Sequence, residues 1–223
     1  QGAPKSIDET DALENAGDRL LRMADRVHGG FGEGQKFPHV DRLLLLAHHA
    51  GRTRNGAAET VLTEALSAMA AGGLRDQLGG GFHRYCVDRT WTVPHFEKML
   101  YENAEIPRAL LHGFSLTGIE SYATVTRETF DFVNRELTGS PGGFYSTLDA
   151  RSQPADGTAQ DRTAVEGAYY TWTPESVRSA MAHEQGETTQ FEPEWLTTVF
   201  SERFGVTESG NFEGKTVLNQ SRS

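Results

Sequence analysis

The residues best suited to chemistry are concentrated in one stretch of the chain, residues 76–103. Two of its side chains, His83 and His95, are imidazoles, which in neutral form take up and release protons near pH 7. Two such groups on opposite sides of a sugar carbon would remove a proton and return it, which is the chemistry of an epimerase. The structural alternative is that each histidine ties a glycine-rich turn to a helix end through hydrogen bonds.

Carboxylates offer a second mechanism, because a pair of them at a suitable separation cleaves a glycosidic bond. The candidates are Asp76, Asp88, Glu97 and Asp149. Two of them also have structural interpretations: Asp88 can cap a turn beside Arg89, and Glu97 lies where the dipole of a predicted helix favours a negative charge. Sequence spacing does not give the distances between these groups, so isomerisation and hydrolysis both remain open.

Aromatic and basic side chains of the same stretch are candidates for binding a sugar. Tyr85, Trp91 and Tyr101 have rings that can stack on the apolar face of a sugar, whereas Arg84 and Lys98 can bind its hydroxyls or a carboxylate. Aromatic residues at such positions more often pack in a core. We therefore expect at least one of the three rings to be buried.

The elements that must position these residues follow from the local pattern. Three consecutive glycines, 79–81, predict a tight turn with positive φ angles, and the alternation over 82–87 predicts a half-buried strand. Pro94 ends that strand and suits the first turn of a helix. Apolar residues at helical spacing then predict an amphipathic helix over 96–116, in which Pro107 should cause a kink or a break.

The rest of the chain also reads as mainly helical. Apolar periodicity and glycine caps predict one helix that ends at Gly29-Gly30, a second that is buried on several sides, and a third that is capped by Gly72-Gly73. Residues 151–166 are polar and predict a loop. The second and third helices are predicted over 40–50 and 61–71, further helices over 119–137, 174–183 and 193–204, and a short strand over 168–172.

One tripeptide, Gly-Gly-Phe, occurs three times, at residues 29–31, 80–82 and 142–144. The intervals are long enough for two helices and their connections, so each unit is predicted to be a helical hairpin closed by a glycine turn. The phenylalanine should insert into the core at each turn. About three such hairpins fit in the chain.

Composition narrows the classes of partner. The formal net charge of −10 argues against nucleic acid and anionic membrane surfaces. Only four of the 21 Lys and Arg residues are lysine, which leads to the hypothesis of a halophilic protein. No apolar run is long enough to cross a membrane and no signal peptide is recognisable, so the predicted location is cytoplasmic. The chain begins Gln1-Gly2, which suggests a fragment of a longer protein.

No metal or cofactor is predicted. The single cysteine, Cys86, excludes an internal disulfide and a Cys-x-x-Cys redox site. His48 and His49 lack further residues at metal-ligand spacing. The glycine-rich residues 30–36 lack the spacing of a phosphate-binding loop.

Four segments together resemble one family. Besides residues 76–103 they are 30–38 (GFGEGQKFP), 142–150 (GGFYSTLDA) and 169–173 (YYTWT). In amino-acid sequence and in order along the chain, these segments are similar to those of the thioredoxin-domain-containing protein family related to spermatogenesis-associated protein. The resemblance covers residues from about 29 to 218. Cys86 stands where the family commonly has serine, and the sequence around Arg151 and Gln153 is less acidic than is usual there.

The resemblance implies a mainly α fold, a six-hairpin glycosidase-like α/α toroid similar to N-acylglucosamine 2-epimerase, of which residues 1–223 would form about half as one unit. It adds Lys36 to the candidate sugar-binding residues. The family's amino-terminal thioredoxin-like domain and the remaining hairpins would be absent here, and that domain would be a partner within the parent protein. A half toroid exposes apolar hairpin faces, which favours homo-oligomers.

Two functions therefore remain. The first is a carbohydrate-active domain, epimerase-like or glycosidase-like, with its site in residues 76–101. The second is a non-catalytic binding or scaffold domain of a thioredoxin-domain protein. Convergence of His83, His95, Glu97 and Asp149 on one pocket would favour catalysis, and their burial in mutual hydrogen bonds would favour a structural role.

Overall fold

The computed structural model describes residues 9–153, 164–183 and 191–220, and most of this part is helical. Three helices have clear start or stop signals: the Asn55 side chain caps one amino terminus, and Gly118 and Gly205 end two helices in the left-handed conformation. The helices are α1 (Glu9–Met23), α2 (Val40–Thr53), α3 (Gly56–Ala71), α4 (Leu100–Thr117), α5 (Glu120–Phe132), α6 (Pro174–His183) and α7 (Pro193–Phe204).

Consecutive helices pack in pairs, α2 with α3, α4 with α5 and α6 with α7. The main core lies between helices α1 to α5, where leucines such as Leu46, Leu62, Leu66 and Leu110 have no exposed surface. A smaller core around Val177 joins α6 and α7 to the end of the chain. None of the helices in the described ranges has the length and the apolar character that a membrane-spanning helix requires.

Short antiparallel strand pairs lie between the helices. They are β1 (Tyr85–Cys86) with β2 (Pro94–His95), β3 (Lys98–Met99) with β4 (Thr147–Leu148), β5 (Arg151–Ser152) with β6 (Val165–Glu166), and β7 (Thr171–Trp172) with β8 (Thr216–Val217). In the first pair Tyr85 faces His95, and in the second Lys98 faces Leu148. The β3–β4 pair joins the residues just before α4 to residues 147–148, and the β1–β2 pair closes residues 85–95 into a hairpin.

Helix α4 begins later than the sequence predicts. Residues 94–99 are extended, because β2 pairs with β1 and β3 pairs with β4, so the helix starts at Leu100 instead of Phe96. Glu97 consequently lies between two strands and not in a helical first turn. Pro107 does not break α4, which continues to Thr117.

Other boundaries also differ from the predictions. Helix α1 ends at Met23, and residues 25–30 form a hydrogen-bonded turn instead of a last helical turn. Residues 133–137 form a π-helical turn after α5. The segment predicted as a polar loop, 151–166, begins and ends with the paired strands β5 and β6; its residues 154–163 lie outside the described part. The strand predicted over 168–172 is limited to β7.

The three Gly-Gly-Phe turns are not equivalent. All three phenylalanines are bridged to a residue before the turn, but Phe31 and Phe82 are only 2% and 0% exposed. Phe144 is 59% exposed, so the prediction that each phenylalanine inserts into the core is wrong at the third turn.

Candidate functional site

The first glycine turn is fastened by a buried ion pair. Lys36, which has no exposed surface, donates from Nζ to Oδ2 of Asp25 at 2.8 Å and to the carbonyl oxygen of Gly29 at 2.9 Å. Arg89 donates to the same Asp25 oxygen at 2.7 Å, and hydrogen bonding from Arg89 is the main reason that the pKa of Asp25 is strongly lowered. The ammonium group of Lys36, a predicted sugar-binding residue, is thus bonded within the turn.

The second glycine turn repeats this arrangement with Asp76 and Lys98. Lys98 donates from Nζ to Oδ2 of Asp76 at 2.8 Å and to the carbonyl oxygen of Gly80 at 2.9 Å. Oδ1 of Asp76 accepts from the backbone N–H groups of Leu78 and Gly79. Burial raises the pKa of Asp76, but attraction to Lys98 outweighs it and the net shift is downward. This geometry favours a structural role for both residues.

Two further residues of the stretch are held in structural contacts. Trp91 is 1% exposed and donates from its indole Nε1 to the carbonyl oxygen of Gly29 at 3.3 Å, so its ring is not open to a sugar. Asp88 accepts hydrogen bonds from the backbone N–H groups of Thr90, Thr92 and Val93, which is the capping role considered for it from the sequence.

His83 and Asp149 form no hydrogen bond or ion pair with His95 or Glu97 in the described part of the chain. His83 is 1% exposed, and its Nδ1 bonds the carbonyl oxygen of Phe96 at 3.0 Å. Burial lowers the pKa of His83 to about 3, so its imidazole is neutral at pH 7. Asp149 accepts a hydrogen bond from the backbone N–H of Arg151 and caps a turn. The four groups expected to mark a catalytic pocket therefore do not all converge.

His95 and Glu97 do come together, in a partly exposed polar cluster. Nδ1 of His95 bonds Oε1 of Glu166 at 2.9 Å, and its Nε2 lies 3.8 Å from Oε2 of Glu97. Arg84 donates to the same Oε2 at 3.0 Å, and Thr147 donates to Oε1 of Glu97 at 3.3 Å. Since a carboxylate only accepts, Nδ1 of His95 carries the proton and Nε2 keeps a lone pair when the ring is neutral.

The cluster extends through Tyr101 to Glu102. Tyr101 is half exposed, and the charges of Glu102 and Arg84 act on its hydroxyl. Glu102 is 8% exposed, and burial raises its pKa to about 7. A carboxyl group with such a pKa can donate or accept a proton near neutral pH. We call the connected set Glu166, His95, Glu97, Arg84, Tyr101 and Glu102 the polar network.

An aromatic stack adjoins the polar network. The ring of Tyr85 lies between those of Phe37 and His95, with ring centres 4.6 Å and 5.3 Å away and nearly parallel planes. Phe37 is 38% exposed. The stack therefore places an accessible apolar ring surface next to charged hydrogen-bonding groups, a combination typical of small-molecule sites.

Sequence reasoning missed several residues that these contacts depend on. Asp25 occupies in the first turn the position that Asp76 occupies in the second, four residues before Gly-Gly-Phe, and that shared spacing is a signal in the sequence. Asn103 is fully buried and bonds both backbone groups of Phe82. Nothing in the local pattern distinguishes Glu102 or Glu166, because their importance depends on long-range folding. Within the described ranges, no group of His, Cys, Asp or Glu is arranged to hold a metal ion.

The fold defines the class. Solved structures that match most of this chain include a sugar epimerase from a ruminal bacterium, with a TM-score of 0.58 at 12% identity over 88% of this chain and 55% of that one. A cellobiose 2-epimerase from Spirochaeta thermophila matches with a TM-score of 0.51 at 18% identity, covering 90% of this chain and 56% of that one. At these identities the likeness concerns the fold alone, which is a partial α/α toroid.

Sequence relatives give the particular relationship. Spermatogenesis-associated protein 20 of Homo sapiens is 39% identical over 84% of this chain, and that of Rattus norvegicus is 36% identical over 87%. The chain spans about a quarter of the length of these curated relatives, 24% in both cases. No family model matches. The chain is a homologue of one segment of the spermatogenesis-associated protein 20 proteins, as the sequence motifs predicted.

Proposed function

We propose that this chain carries part of a sugar-binding, epimerase-like active site, formed by the polar network and the adjoining aromatic stack. The observation that carries the proposal is the contact between His95, Glu97 and Arg84 at an accessible surface. The other predicted site residues that are buried have structural partners. The matches to sugar epimerases support a sugar as the substrate class, since the proteins of that fold named above act on sugars.

Two groups of the network have the properties of a proton-transfer pair. His95 keeps a lone pair on Nε2 because Glu166 fixes the proton on Nδ1. Glu97 stabilises the imidazolium that forms when Nε2 takes up a proton. Glu102, with a pKa of about 7, supplies the second group. The carbonyl oxygen of an open-chain sugar would accept a hydrogen bond from Arg84 or Tyr101.

The proposed reaction conserves atoms and needs no oxidant. His95 removes the proton from the carbon next to the carbonyl group, and the electron pair moves to the carbonyl oxygen, giving an enediolate stabilised by Arg84 or Tyr101. Protonated Glu102 returns a proton to the same carbon from the opposite face, so the product is the epimer, and proton exchange with water restores His95 and Glu102. The aromatic stack would hold the apolar side of the sugar.

Deuterium incorporation tests the proposal directly. The protein is incubated in D₂O with reducing monosaccharides and disaccharides, and NMR follows deuterium at carbon 2 together with the epimer. General acid–base groups contribute about 10²- to 10⁴-fold to a rate, so His95→Gln and Glu102→Gln should each lower incorporation by at least about 100-fold. His48→Gln, which changes an exposed histidine on α2, is the matched control and should keep the wild-type rate.

Thermal shifts with the same sugars separate binding from chemistry. A sugar at about a hundred times its dissociation constant should stabilise the fold by roughly 2.7 kcal/mol. Stabilisation that His95→Gln abolishes, together with deuterium incorporation, supports the active site. Stabilisation without incorporation would contradict epimerisation.

A scaffold role is the second candidate, and a specific observation favours it. Much of the predicted site, including Lys36, Asp76, His83 and Lys98, is buried in hydrogen bonds that fasten the glycine turns. If no sugar stabilises the wild-type protein and no deuterium is incorporated, the stretch is structural and the chain acts as a binding or scaffold domain.

A further inference from the structure

A cavity separate from the polar network lies beside the second glycine turn. Its volume is about 330 Å³, and none of the six residues of the polar network lines it. Its walls include Leu78, Tyr169, Tyr170, Trp172 and Val217, and His83 forms part of its surface. The cavity is thus mainly aromatic and aliphatic, as small-molecule sites usually are.

His83 brings an unpartnered acceptor to this cavity. Its Nδ1 bonds the carbonyl oxygen of Phe96, which only accepts, so Nδ1 carries the ring proton. The ring is neutral, and Nε2 therefore has a free lone pair. No group in the described part of the chain donates a hydrogen bond to that atom, although the residue is 99% buried. A buried acceptor of this kind gains stability when a donor fills the position.

Aromatic rings pack next to His83 at this cavity. The ring of Tyr170 meets that of His83 edge to face with centres 4.7 Å apart, and Tyr169 meets Tyr170 at 5.1 Å. Most other polar groups of the lining are engaged: the Asp76 carboxylate binds Lys98, and the Ser176 hydroxyl donates to the carbonyl oxygen of Thr173. Arg75 pairs with Glu128, but its buried Nε–H has no partner in the described part of the chain.

We propose that this cavity binds a small neutral ligand of the phenol class, with a flat apolar ring between the aromatic walls and one hydroxyl that donates to Nε2 of His83. A sugar ring fits less well, because each of its several hydroxyls would need a partner and the engaged side chains supply few. A carboxylate or phosphate would face the Asp76 carboxylate, and the Arg75 guanidinium of the same wall is already paired with Glu128. The site is independent of the proposed sugar site and does not require it.

The test compares three probes on the intact chain by isothermal titration calorimetry: 4-methylphenol, toluene and methyl α-D-glucopyranoside. We expect 4-methylphenol to bind at least about tenfold more tightly than toluene, which has the same ring but no hydroxyl. His83→Phe should remove that preference while toluene still binds. Ala168→Leu, which adds side-chain volume to the lining, should weaken both aromatic probes. His95→Gln should leave all of this binding unchanged.

A measurement on the unmutated chain covers the case in which His83→Phe does not fold. A hydroxyl that donates to Nε2 should shift the ¹⁵N resonance of that atom when 4-methylphenol is added, and toluene should not. Equal affinity for 4-methylphenol and toluene, an unmoved Nε2 resonance, or tighter binding of the glucoside than of 4-methylphenol would each overturn the proposal. Failure here would leave deuterium incorporation at the polar network unaffected, so the two proposals fail separately.

Discussion

The turns at Gly29 and Gly80 are built from the same contacts, although their lysines come from different distances along the chain. In each turn an aspartate four residues before Gly-Gly-Phe accepts from a buried lysine, which also donates to the first glycine's carbonyl oxygen. The lysine lies 11 residues after Asp25 but 22 residues after Asp76. We call these the first and second turn units.

The units also share their packing. A methyl group at Gly29 would approach the backbone of Glu64 in α3, and one at Gly80 would approach the backbone of Glu128 in α5. The second glycine of each unit lies against an aromatic ring, Trp91 in the first and Phe132 in the second. Each turn thus binds the preceding residues to a neighbouring helix, which is how a chain of hairpins is held in register.

The third Gly-Gly-Phe shows which part of the unit is essential. Thr138 stands where the other turns have aspartate, and its hydroxyl bonds the carbonyl oxygen of Val133. A methyl group at Gly142 or Gly143 would meet nothing within 4 Å. Without the ion pair the glycines do not bring Phe144 into the core, so the aspartate and lysine define the unit more than the glycines do.

The largest expected effect is the loss of stability when the lysine of a turn unit is replaced, and it should differ between the two units because they have different numbers of cations. Lys98 forms the single ion pair of Asp76 among the described residues, whereas Asp25 also pairs with Arg89. Lys98→Met should leave Asp76 buried without a cation and lower the free energy of unfolding by about 3–5 kcal/mol. Lys36→Met should cost clearly less. Urea denaturation measures both variants, and equal losses would contradict the comparison.

Arg89 should make the first turn unit tolerant of the loss of Lys36, because it also pairs with Asp25. Its guanidinium lies 2.7 Å from Asp25, and its side chain is partly exposed. Combining Lys36→Met with Arg89→Met should remove both cations, so the loss in the double variant should exceed the sum of the single losses. Urea denaturation of the three variants gives the coupling. Additive losses would show that Arg89 does not replace Lys36.

The helical pairs, the family and the second turn's importance were predictable from sequence, because they depend on local periodicity and on a distinctive run of residues. Roles that depend on contacts between distant residues were not. Lys36 was a candidate sugar-binding residue through the family resemblance, and Lys98 through its place in residues 76–103. Folding provides each with a buried aspartate partner, Asp25 and Asp76, that the sequence pattern does not show. The start of α4 was placed too early because pairing with β1 and β4, which periodicity cannot show, keeps residues 94–99 extended.

Glycine substitutions test whether the turn units differ in packing from the third Gly-Gly-Phe turn. Their expected effect on stability is smaller than that of the lysine substitutions. Gly81 has φ of +75°, and an added methyl group would clash with the ring of Phe132. Gly81→Ala should destabilise the protein by about 2–3 kcal/mol through backbone strain and overpacking. At Gly143, where no atom is near and φ is not positive, the same change should have an effect within about 0.5 kcal/mol. Thermal unfolding measures both. Similar melting temperatures for the two variants would contradict an ordered, tightly packed second unit.

The smallest expected effect is on the pH dependence of stability, which should differ between buried carboxylates that have a cation partner and one that has none. Asp25 and Asp76 have lowered pKa values, so they stabilise the fold above the ordinary aspartate pKa and lose this contribution only below about pH 4. Glu102 forms no ion pair in the described ranges, and its pKa is raised from 4.5 to about 7. Its protonated form is favoured in the folded state, so its contribution is complete below about pH 4.5 and declines as the pH rises to about 7.

Glu102→Gln should remove that decline. Discounted for partial contact with solvent, the change between pH 4.5 and 7 should be about 1–2 kcal/mol in the wild type and absent in the variant. Urea denaturation across this range measures it, with Glu202→Gln, an exposed carboxylate on α7, as the control that should keep the wild-type profile. A wild-type profile that stays flat would mean that Glu102 is ionised in the folded protein, which would also remove its suitability as the second proton-transfer group.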